Sequence, residues 1–191
     1  LFLHILQRLN ELGYRTIYDV VNAADYGVPQ NRKRLIVLGT NHSDVRLSFP
    51  KKTNVEPSKS AELPRWRAVR DVISDLPEIK AGEKYKNDLL HASASLSEIN
   101  LERIKQTSSD GGDRTTWSEE LILECHKNNN GHKDVYGRMW WDRPSPTITG
   151  GCAMISKGRF GHPVQNRAIS LREAARLQTF PDDYKFLGNF G

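Results

Sequence analysis

The stretch that most constrains this chain is residues 22–39, which read NAADYGVPQNRKRLIVLG. It begins with polar residues and turns at residues 26–29 (YGVP), where glycine and proline favour a tight change of direction. Gln30, Arg32 and Arg34 then stand at alternate positions, and an apolar run follows. The pattern predicts a turn that leads into a strand, with basic side chains at its entrance.

The spacing of Gln30, Arg32 and Arg34 is informative because alternate side chains of an extended segment fall on one face. One amide and two guanidiniums would then point the same way. Guanidinium forks suit phosphate oxygens and the acceptor edges of bases, and Gln can donate and accept at once. The alternative is a solvated basic turn between two strands, which is the commoner meaning of a short basic run.

The residues around this stretch predict one part of an α/β layer. Apolar residues at helical spacing indicate a helix over residues 1–12, with Gly13 as its C-cap. Residues 14–21 favour a strand, and residues 34–40 favour a buried strand. One helix and two strands cannot cover both faces of a sheet. We therefore expect poor burial here, and association of isolated copies through this face.

The rest of the chain predicts short elements separated by long polar connections. They are a proline-containing loop (41–64), a helix between Trp66 and Leu76 that stops at Pro77, a charged connector (80–87), a helix capped by Ser95 and Glu98, a loop (107–115), a helix capped by Thr116 and Glu119, strands at 135–141 and 147–149, and a helix opened by Ser170 and Glu173 and ended by Pro181.

A second candidate site is residues 136–151, YGRMWWDRPSPTITGG. The adjacent tryptophans precede Arg143, and two prolines fix the backbone on either side of a serine. Thr147 and Thr149 share a face and could offer hydroxyl groups. The pattern predicts a stiff hairpin with an aromatic rim. Its structural interpretation, a rigid brace at a domain junction, is favoured by the residues alone.

A third candidate is the loop of residues 108–114. Gly111 and Gly112 would let the backbone approach a ligand closely, and Arg114 adds a positive charge. The alternative is a plain mobile loop. Residues 107–114 and 128–133 are both polar and predict loops.

Composition limits the class of protein. The net charge is +5, the pI is about 9.2 and the mean hydropathy is −0.62, which is a mild argument for a polyanionic partner. No run of apolar residues is long enough to span a membrane. Cys125 and Cys152 form neither a disulfide framework nor a CxxC site, so a reducing cytoplasm is expected. The histidines lack metal-ligand spacing, and no phosphate loop or nucleophile elbow occurs.

Three segments carry a resemblance to a known family. AADYGVPQNRKRLIVLG resembles motif VIII of the cytosine-C5 DNA methyltransferases, WWDRPSPTITGG resembles their motif IX, and NRAISLREAARLQTFPDDYKFLG resembles the stretch that leads into motif X. The first helix and VRDVISDLP are also similar to family features. Three motifs in the right order at suitable separations are far more specific than one. The resemblance covers nearly the whole chain.

The resemblance implies a Rossmann-like α/β parent that binds S-adenosylmethionine and methylates C5 of a flipped cytosine in double-stranded DNA. Gln30, Arg32 and Arg34 would lie beside the flipped cytosine and its flanking phosphates, and Arg34 or Arg32 would hold the base O2 or the adjacent backbone. Motif IX, centred on Arg143 and residues 146–149, would organise the target-recognition domain. The candidate base readers of that domain would lie in the polar loops at residues 107–114 and 128–133. The chain itself would be mixed α+β.

The implied division has four parts. Residues 1–40 would belong to the catalytic domain, residues 41–135 would form the target-recognition domain, residues 136–165 would continue the small domain, and residues 166–191 would return to the catalytic domain.

Departures from the family pattern qualify these expectations. The chain has no Pro-Cys and no Glu-Asn-Val; Cys125 follows Glu124, and Cys152 follows Gly151. It lacks a Gly-rich cofactor motif and the Gly-Asn-Ala-Val-Pro-Pro segment of motif X. We therefore expect the C-terminal half of a bacterial, cytoplasmic enzyme, inactive alone, with the cofactor bound by the full protein.

Two other interpretations of the chain remain. One is a non-catalytic DNA-binding module that complements a separate catalytic chain. The other is a scaffold whose basic hairpin contacts an acidic protein. The expected partners are thus double-stranded DNA together with a missing N-terminal catalytic portion or a complementing subunit, and no membrane.

Overall fold

The computed structural model describes residues 1–59, 62–127, 131 and 134–187. The helices are α1 (Phe2–Glu11), α2 (Arg70–Ile73), α3 (Glu98–Gln106), α4 (Glu124–Lys127) and α5 (Leu171–Leu177), and the strands are β1 (Arg15–Asn22), β2 (Lys33–Thr40), β3 (Lys84–Tyr85) and β4 (Asp88–Ala92). The mixed α+β class expected for the chain is confirmed. No helix among the described residues is long and apolar enough to cross a membrane.

The N-terminal unit is an antiparallel ribbon of β1 and β2 with α1 beside it. Gly13, at φ +83°, ends α1 in the left-handed conformation expected of its C-cap. The register pairs Tyr18 with Val37 and Val20 with Leu35. No residue of α1 is buried, and most of β2 is exposed. The expectation of poor burial is therefore confirmed, whereas the description of residues 34–40 as a buried strand is wrong for this chain.

The core lies in the second part of the molecule and consists of two apolar clusters. One is built on Val69, Ile73, Met139, Ile148, Phe160, Ile169 and Leu177. The other contains Ile104, Trp117, Leu121, Tyr136, Ile155 and Ala168. Each cluster combines side chains from before residue 122 with side chains from after residue 135. The segments before residue 122 and after residue 135 therefore share one interior.

Helix α5 begins with the expected capping box. The Ser170 hydroxyl accepts a hydrogen bond from the Glu173 backbone N–H, and the Glu173 carboxylate accepts one from the Ser170 N–H. The helix ends at Leu177, and Thr179 adopts φ +65° before Pro181. Because α5 is buried along most of its length, its cap also fixes its place against the core.

Several predicted elements differ from those observed. Residues 135–141 and 147–149 form no strand; both run as irregular backbone, and the first has an isolated bridge between Arg138 and Gly161. The helix expected between Trp66 and Leu76 is reduced to α2, and the helix expected after Thr116 is divided into a 3-10 turn and α4. The N-cap of α3 is Ser97, not Ser95, and its side chain makes no cap hydrogen bond. The β3–β4 hairpin lies where a charged connector was expected.

Candidate functional site

Asn22 closes the loop that leads to the basic residues. Its side-chain oxygen accepts hydrogen bonds from the backbone N–H groups of Ala24 (3.4 Å) and Arg32 (3.0 Å), and its amide donates to the Asn31 side chain (3.0 Å). The Ala23 N–H also bonds the Arg32 carbonyl. The two ends of the loop are thus held together at the mouth of the β1–β2 ribbon.

Gln30 joins this loop to the segment similar to motif IX. The Asn31 N–H donates to the Ser145 carbonyl (2.8 Å), and the Ser145 N–H donates to the Pro29 carbonyl (2.9 Å). The Gln30 side chain accepts from the Ile148 N–H (3.3 Å) and lies 3.5 Å from the Leu177 carbonyl. One side chain therefore connects the segments that resemble motifs VIII, IX and X.

The regular extended segment that would put Gln30, Arg32 and Arg34 on one face does not form, and the three side chains differ in exposure. Gln30 is buried, with 2 % of its surface exposed, whereas Arg32 is half-buried and Arg34 is exposed. The reason is that the backbone at Gln30 pairs with Ser145 and only later enters β2, so the three residues do not belong to one regular strand. The two arginines remain at the surface beside the junction.

Asp25 links the same loop to the segment that follows β2. Its carboxylate accepts a hydrogen bond from the Trp66 indole (2.9 Å) and pairs with the Lys52 ammonium (2.7 Å). Its backbone carbonyl accepts from the N–H groups of Thr53 and Asn54. These contacts tie residues 52–54 and Trp66 to the turn, and nothing in the sequence alone singled out Asp25.

Trp140 is the centre of the second candidate site. The guanidinium of Arg143 lies 4.7 Å from its ring centroid, and that of Arg159 lies 4.2 Å from it. A cavity of about 570 Å³ between Trp140, Trp66 and Ser145 runs along this side of the junction. The aromatic rim predicted from the sequence is therefore present, although it borders irregular backbone instead of a hairpin.

Gly111 and Gly112 serve packing, which differs from the expected approach of backbone to a ligand. Gly111 has φ +93°, and a Cβ there would overlap the Trp140 indole. A Cβ on Gly112 would overlap the carbonyl of Ser108. Both positions require glycine because their backbone is pressed against protein groups.

The remaining predicted binding residues, Thr147, Thr149 and Arg114, are partly or fully exposed and differ in their hydrogen-bond partners. The Thr147 hydroxyl donates to the Asn31 carbonyl (3.2 Å), whereas Thr149 is exposed and Ile148 is buried between them. Arg114 donates to the Gly131 carbonyl (2.7 Å). The candidate loop at residues 128–133 lies, apart from Gly131, outside the described residues.

The sequence alone did not indicate the structural importance of Arg138. It is 2 % exposed, and its guanidinium donates to the carbonyls of Ile104, Thr107, His162 and Gln165. Burial lowers the pKa of Arg138 to about 10, which leaves it charged at neutral pH. The only sign of this role in the sequence is a charged residue within the largely apolar run YGRMWW. The carbonyl groups that it binds are brought to it by the fold.

The most apolar cavity of the described residues lacks an acidic side chain that could bind the ribose hydroxyl groups of S-adenosylmethionine. The most apolar cavity, of about 330 Å³, is lined by residues such as Leu90, Cys152 and Phe180, and none of its lining residues is acidic. Burial raises the pKa of the Cys152 thiol, which keeps it protonated and unreactive. Among the described residues no group of His, Cys, Asp and Glu side chains could hold a metal ion.

The fold of this chain is similar to that of a solved protein structure. A solved structure of a DNA modification methyltransferase encoded within a prophage of E. coli superposes with a TM-score of 0.59 at 20 % identity, covering 95 % of this chain and 55 % of that one. The likeness establishes the fold.

The family follows from the sequence comparison. The model of the C-5 cytosine-specific DNA methylase family matches residues 1–190, so the chain belongs to the cytosine-C5 DNA methyltransferase family. Among similar proteins, the type II methylase M.HgiDII of Herpetosiphon aurantiacus is 45 % identical over 97 % of this chain and 50 % of its own length. The type II methyltransferase M1.HphI of Haemophilus parahaemolyticus is 34 % identical over 96 % and 44 %. The chain spans about half the length of these relatives.

Proposed function

We propose that this chain is the DNA-recognition and base-pocket portion of a cytosine-C5 DNA methyltransferase, which methylates a flipped cytosine in double-stranded DNA. The observation that carries the proposal is the Gln30 junction. It joins the three segments that resemble motifs VIII, IX and X, and it leaves Arg32 and Arg34 at the surface beside them. Membership of the family supplies the reaction class.

The roles of the pocket residues follow from their placement. Gln30 acts through position, because its buried amide sets the distance between the basic loop and the motif IX segment. Arg32 and Arg34 supply permanent positive charge, which stabilises the flipped cytosine and the phosphates that flank it. Arg143, Thr147 and Thr149 extend this surface toward the duplex. S-adenosylmethionine, bound by the rest of the full-length protein, supplies the methyl group.

Replacing Arg34 tests the proposal in the full-length protein. We expect Arg34→Ala to lower methyl transfer by roughly 100-fold, because a charge placed at the reacting base stabilises the transition state. The affinity for duplex DNA should fall only a few-fold, since one phosphate contact is a small part of the electrostatic binding. The two quantities are measured by single-turnover methylation and by fluorescence anisotropy.

A matched control is Arg8→Ala, which removes an exposed arginine of α1 that pairs with Glu11 of the same helix. It should leave methyl transfer and binding within about twofold of the unmodified protein. Equal losses of rate and affinity in Arg34→Ala would mark Arg34 as a phosphate anchor and would contradict its place in the base pocket.

The alternative is a non-catalytic DNA-binding subunit that complements a separate catalytic chain. It is favoured by the lack of Pro-Cys, Glu-Asn-Val and a Gly-rich cofactor motif in these 191 residues. Both alternatives predict that the chain alone transfers no methyl group to DNA. Coding sequence immediately upstream of Leu1 distinguishes them, because a Pro-Cys and a Glu-Asn-Val in the same reading frame would make the chain part of one enzyme.

A further inference from the structure

The loop of residues 107–114 is held from inside by two buried arginines. Arg138 donates through Nε to the Thr107 carbonyl (2.9 Å) and through its backbone N–H to the Gly112 carbonyl (2.9 Å). Arg159, 5 % exposed, donates through Nη1 to the carbonyls of Gly111 (2.8 Å) and Gly112 (3.1 Å). The carbonyls of both ends of the loop therefore point into the protein.

Trp140 forms the floor under this loop. Gly111 lies so close to the indole that no side chain fits, and the Arg159 guanidinium stacks 4.2 Å from the same ring centroid. Arg159 is itself held by the Asp134 carboxylate (2.8 Å). Several groups thus fix the conformation of the glycine pair before any ligand arrives.

The tip of the loop is what remains on the outside. Ser108, Ser109 and Asp110 are exposed. Asp110 is held by both its backbone and its side chain. Its N–H donates to the Pro163 carbonyl (2.8 Å), and its carboxylate accepts from the Trp141 N–H (2.7 Å). Its φ of +54° turns the chain back toward the floor. The two serine side chains are therefore presented by a backbone that is anchored on each side.

We propose that Ser108 and Ser109 determine sequence specificity and that Arg159 is the positioning residue that presents them to the base edges. The inference rests on the proposed function and names the residues that read the duplex within it. Hydroxyl groups can donate to or accept from base edges, and a serine contact discriminates only if it is held in place. A loop ordered in advance loses little conformational entropy when it binds. Gly111 and Gly112 belong to its support and contact no base.

The test uses the full-length protein and a pool of duplexes in which each base pair around the target cytosine is varied, with bisulfite sequencing of the methylated products. Ser108→Ala combined with Ser109→Ala should reduce discrimination by about tenfold at one or two base pairs, the effect of losing a base-edge hydrogen bond. Ser74→Ala combined with Ser95→Ala, which removes two exposed hydroxyls elsewhere, should keep the preference at every base pair.

Arg159→Lys tests the positioning role. Lysine keeps the charge, but it cannot donate to two carbonyls and a carboxylate in one plane. Discrimination should relax at the same base pairs as in the double serine variant. A uniform fall in methylation with an unchanged preference would overturn the role of Arg159. Since the two serines are at the surface, their variant decides the assignment even if Arg159→Lys does not fold.

Failure of the serine assignment and failure of the proposed function would give different results. An unchanged base preference in the double serine variant, with methylation retained, would overturn the assignment of Ser108 and Ser109 and leave the proposed function standing. Absence of methyl transfer to any duplex by the unmodified full-length protein would overturn the proposed function, and this assignment with it.

Discussion

Several ionisable side chains are buried next to one another in the interior of this molecule. Arg167 and Glu173 form a bidentate pair with both N–O distances at 2.7 Å, and both are almost fully buried. Burial acts to raise the pKa of Glu173, but the hydrogen bonds and charge of Arg167 hold it below its usual value. His162 lies beside this pair, with Nε2 3.7 Å from the Glu173 carboxylate. Its protonation state is therefore linked to the stability of the core.

The hydrogen bonds of His162 favour its neutral form. Its Nδ1 accepts from the backbone N–H groups of Val164 (3.2 Å) and Gln165 (3.0 Å), so the ring proton is on Nε2. Protonation of Nδ1 would place a donor against two donors. Burial lowers the pKa of His162 to about 4, and the charges of Arg167 and Arg138 act in the same direction, opposed by Glu173.

We expect the protein to lose stability as the pH falls from about 6.5 to about 4. The unfolded histidine has a pKa of about 6.5 and the folded one about 4, so in this window the unfolded state binds more protons. Stability from this group is complete above pH 6.5, and up to about 3 kcal/mol is lost by pH 4. Urea unfolding at a series of pH values measures it.

The control for this prediction is His162→Asn, whose side-chain oxygen can accept the same two N–H groups without titrating. Its stability should depend less on pH between 6.5 and 4.5 than that of the unmodified protein. The same pH dependence in both proteins would assign the effect to other groups.

At the scale of elements, the N-cap serine makes stabilising hydrogen bonds in α5 and none in α3. Ser170 is 1 % exposed, caps the Glu173 N–H, and lies 2.9 Å from Nδ1 of the buried His91. His91 Nε2 is directed at the Pro77 carbonyl, so Nδ1 accepts from the serine hydroxyl. Ser97, at the start of α3, is exposed and makes no side-chain cap bond.

We expect Ser170→Ala to destabilise the protein by about 2–3 kcal/mol. About 1 kcal/mol comes from the lost cap, and the rest comes from leaving the His91 nitrogen buried without a donor. Ser97→Ala is the matched control and should change the free energy of unfolding by less than about 0.5 kcal/mol. Chemical denaturation of both variants measures the difference. Similar values for the two serines would show that the capping box adds little.

At the scale of the whole molecule, the N-terminal ribbon is poorly covered. Tyr18, Val20 and Leu35 are exposed on one of its faces, and Ile36 is exposed on the other. Leu3 and Ile5 of α1 add to the apolar surface. Contiguous exposed apolar residues mark surfaces that bind protein. We therefore propose that a further protein segment or subunit covers this face in the full-length enzyme.

We expect the isolated chain to associate with itself through this ribbon. Val20 and Leu35 face each other across the strands, so Val20→Glu combined with Leu35→Lys replaces apolar contact with a charge pair and should reduce association at least tenfold. Leu89→Lys, which changes a leucine that is 73 % exposed on β4, should not. Sedimentation velocity over a range of concentrations measures the change. A chain that stays monomeric throughout would contradict the prediction.

Local signals predicted a good part of the fold. The helix at residues 2–11, the ribbon of β1 and β2, and the capping box at Ser170 followed from periodicity and cap chemistry, which act between near neighbours. The β3–β4 hairpin was missed because its strands are short and charged, and residues 135–141 were mistaken for a strand because their apolar side chains belong to irregular backbone in the core. The roles of Arg138 and Arg159 could not be predicted from local signals, because the carbonyl groups that they bind lie far along the chain.

The sequence by itself determined the family, the order of the motif-like segments and the basic character of residues 30–34, because these depend only on residue types and their spacing. Only the tertiary structure decided that Gln30 turns inward while Arg34 stays at the surface. It also decided that Gly111 and Gly112 support a loop. The physical reason is that each outcome depends on a partner far along the chain: Ser145 and Leu177 for Gln30, and Trp140 and Arg159 for the glycines.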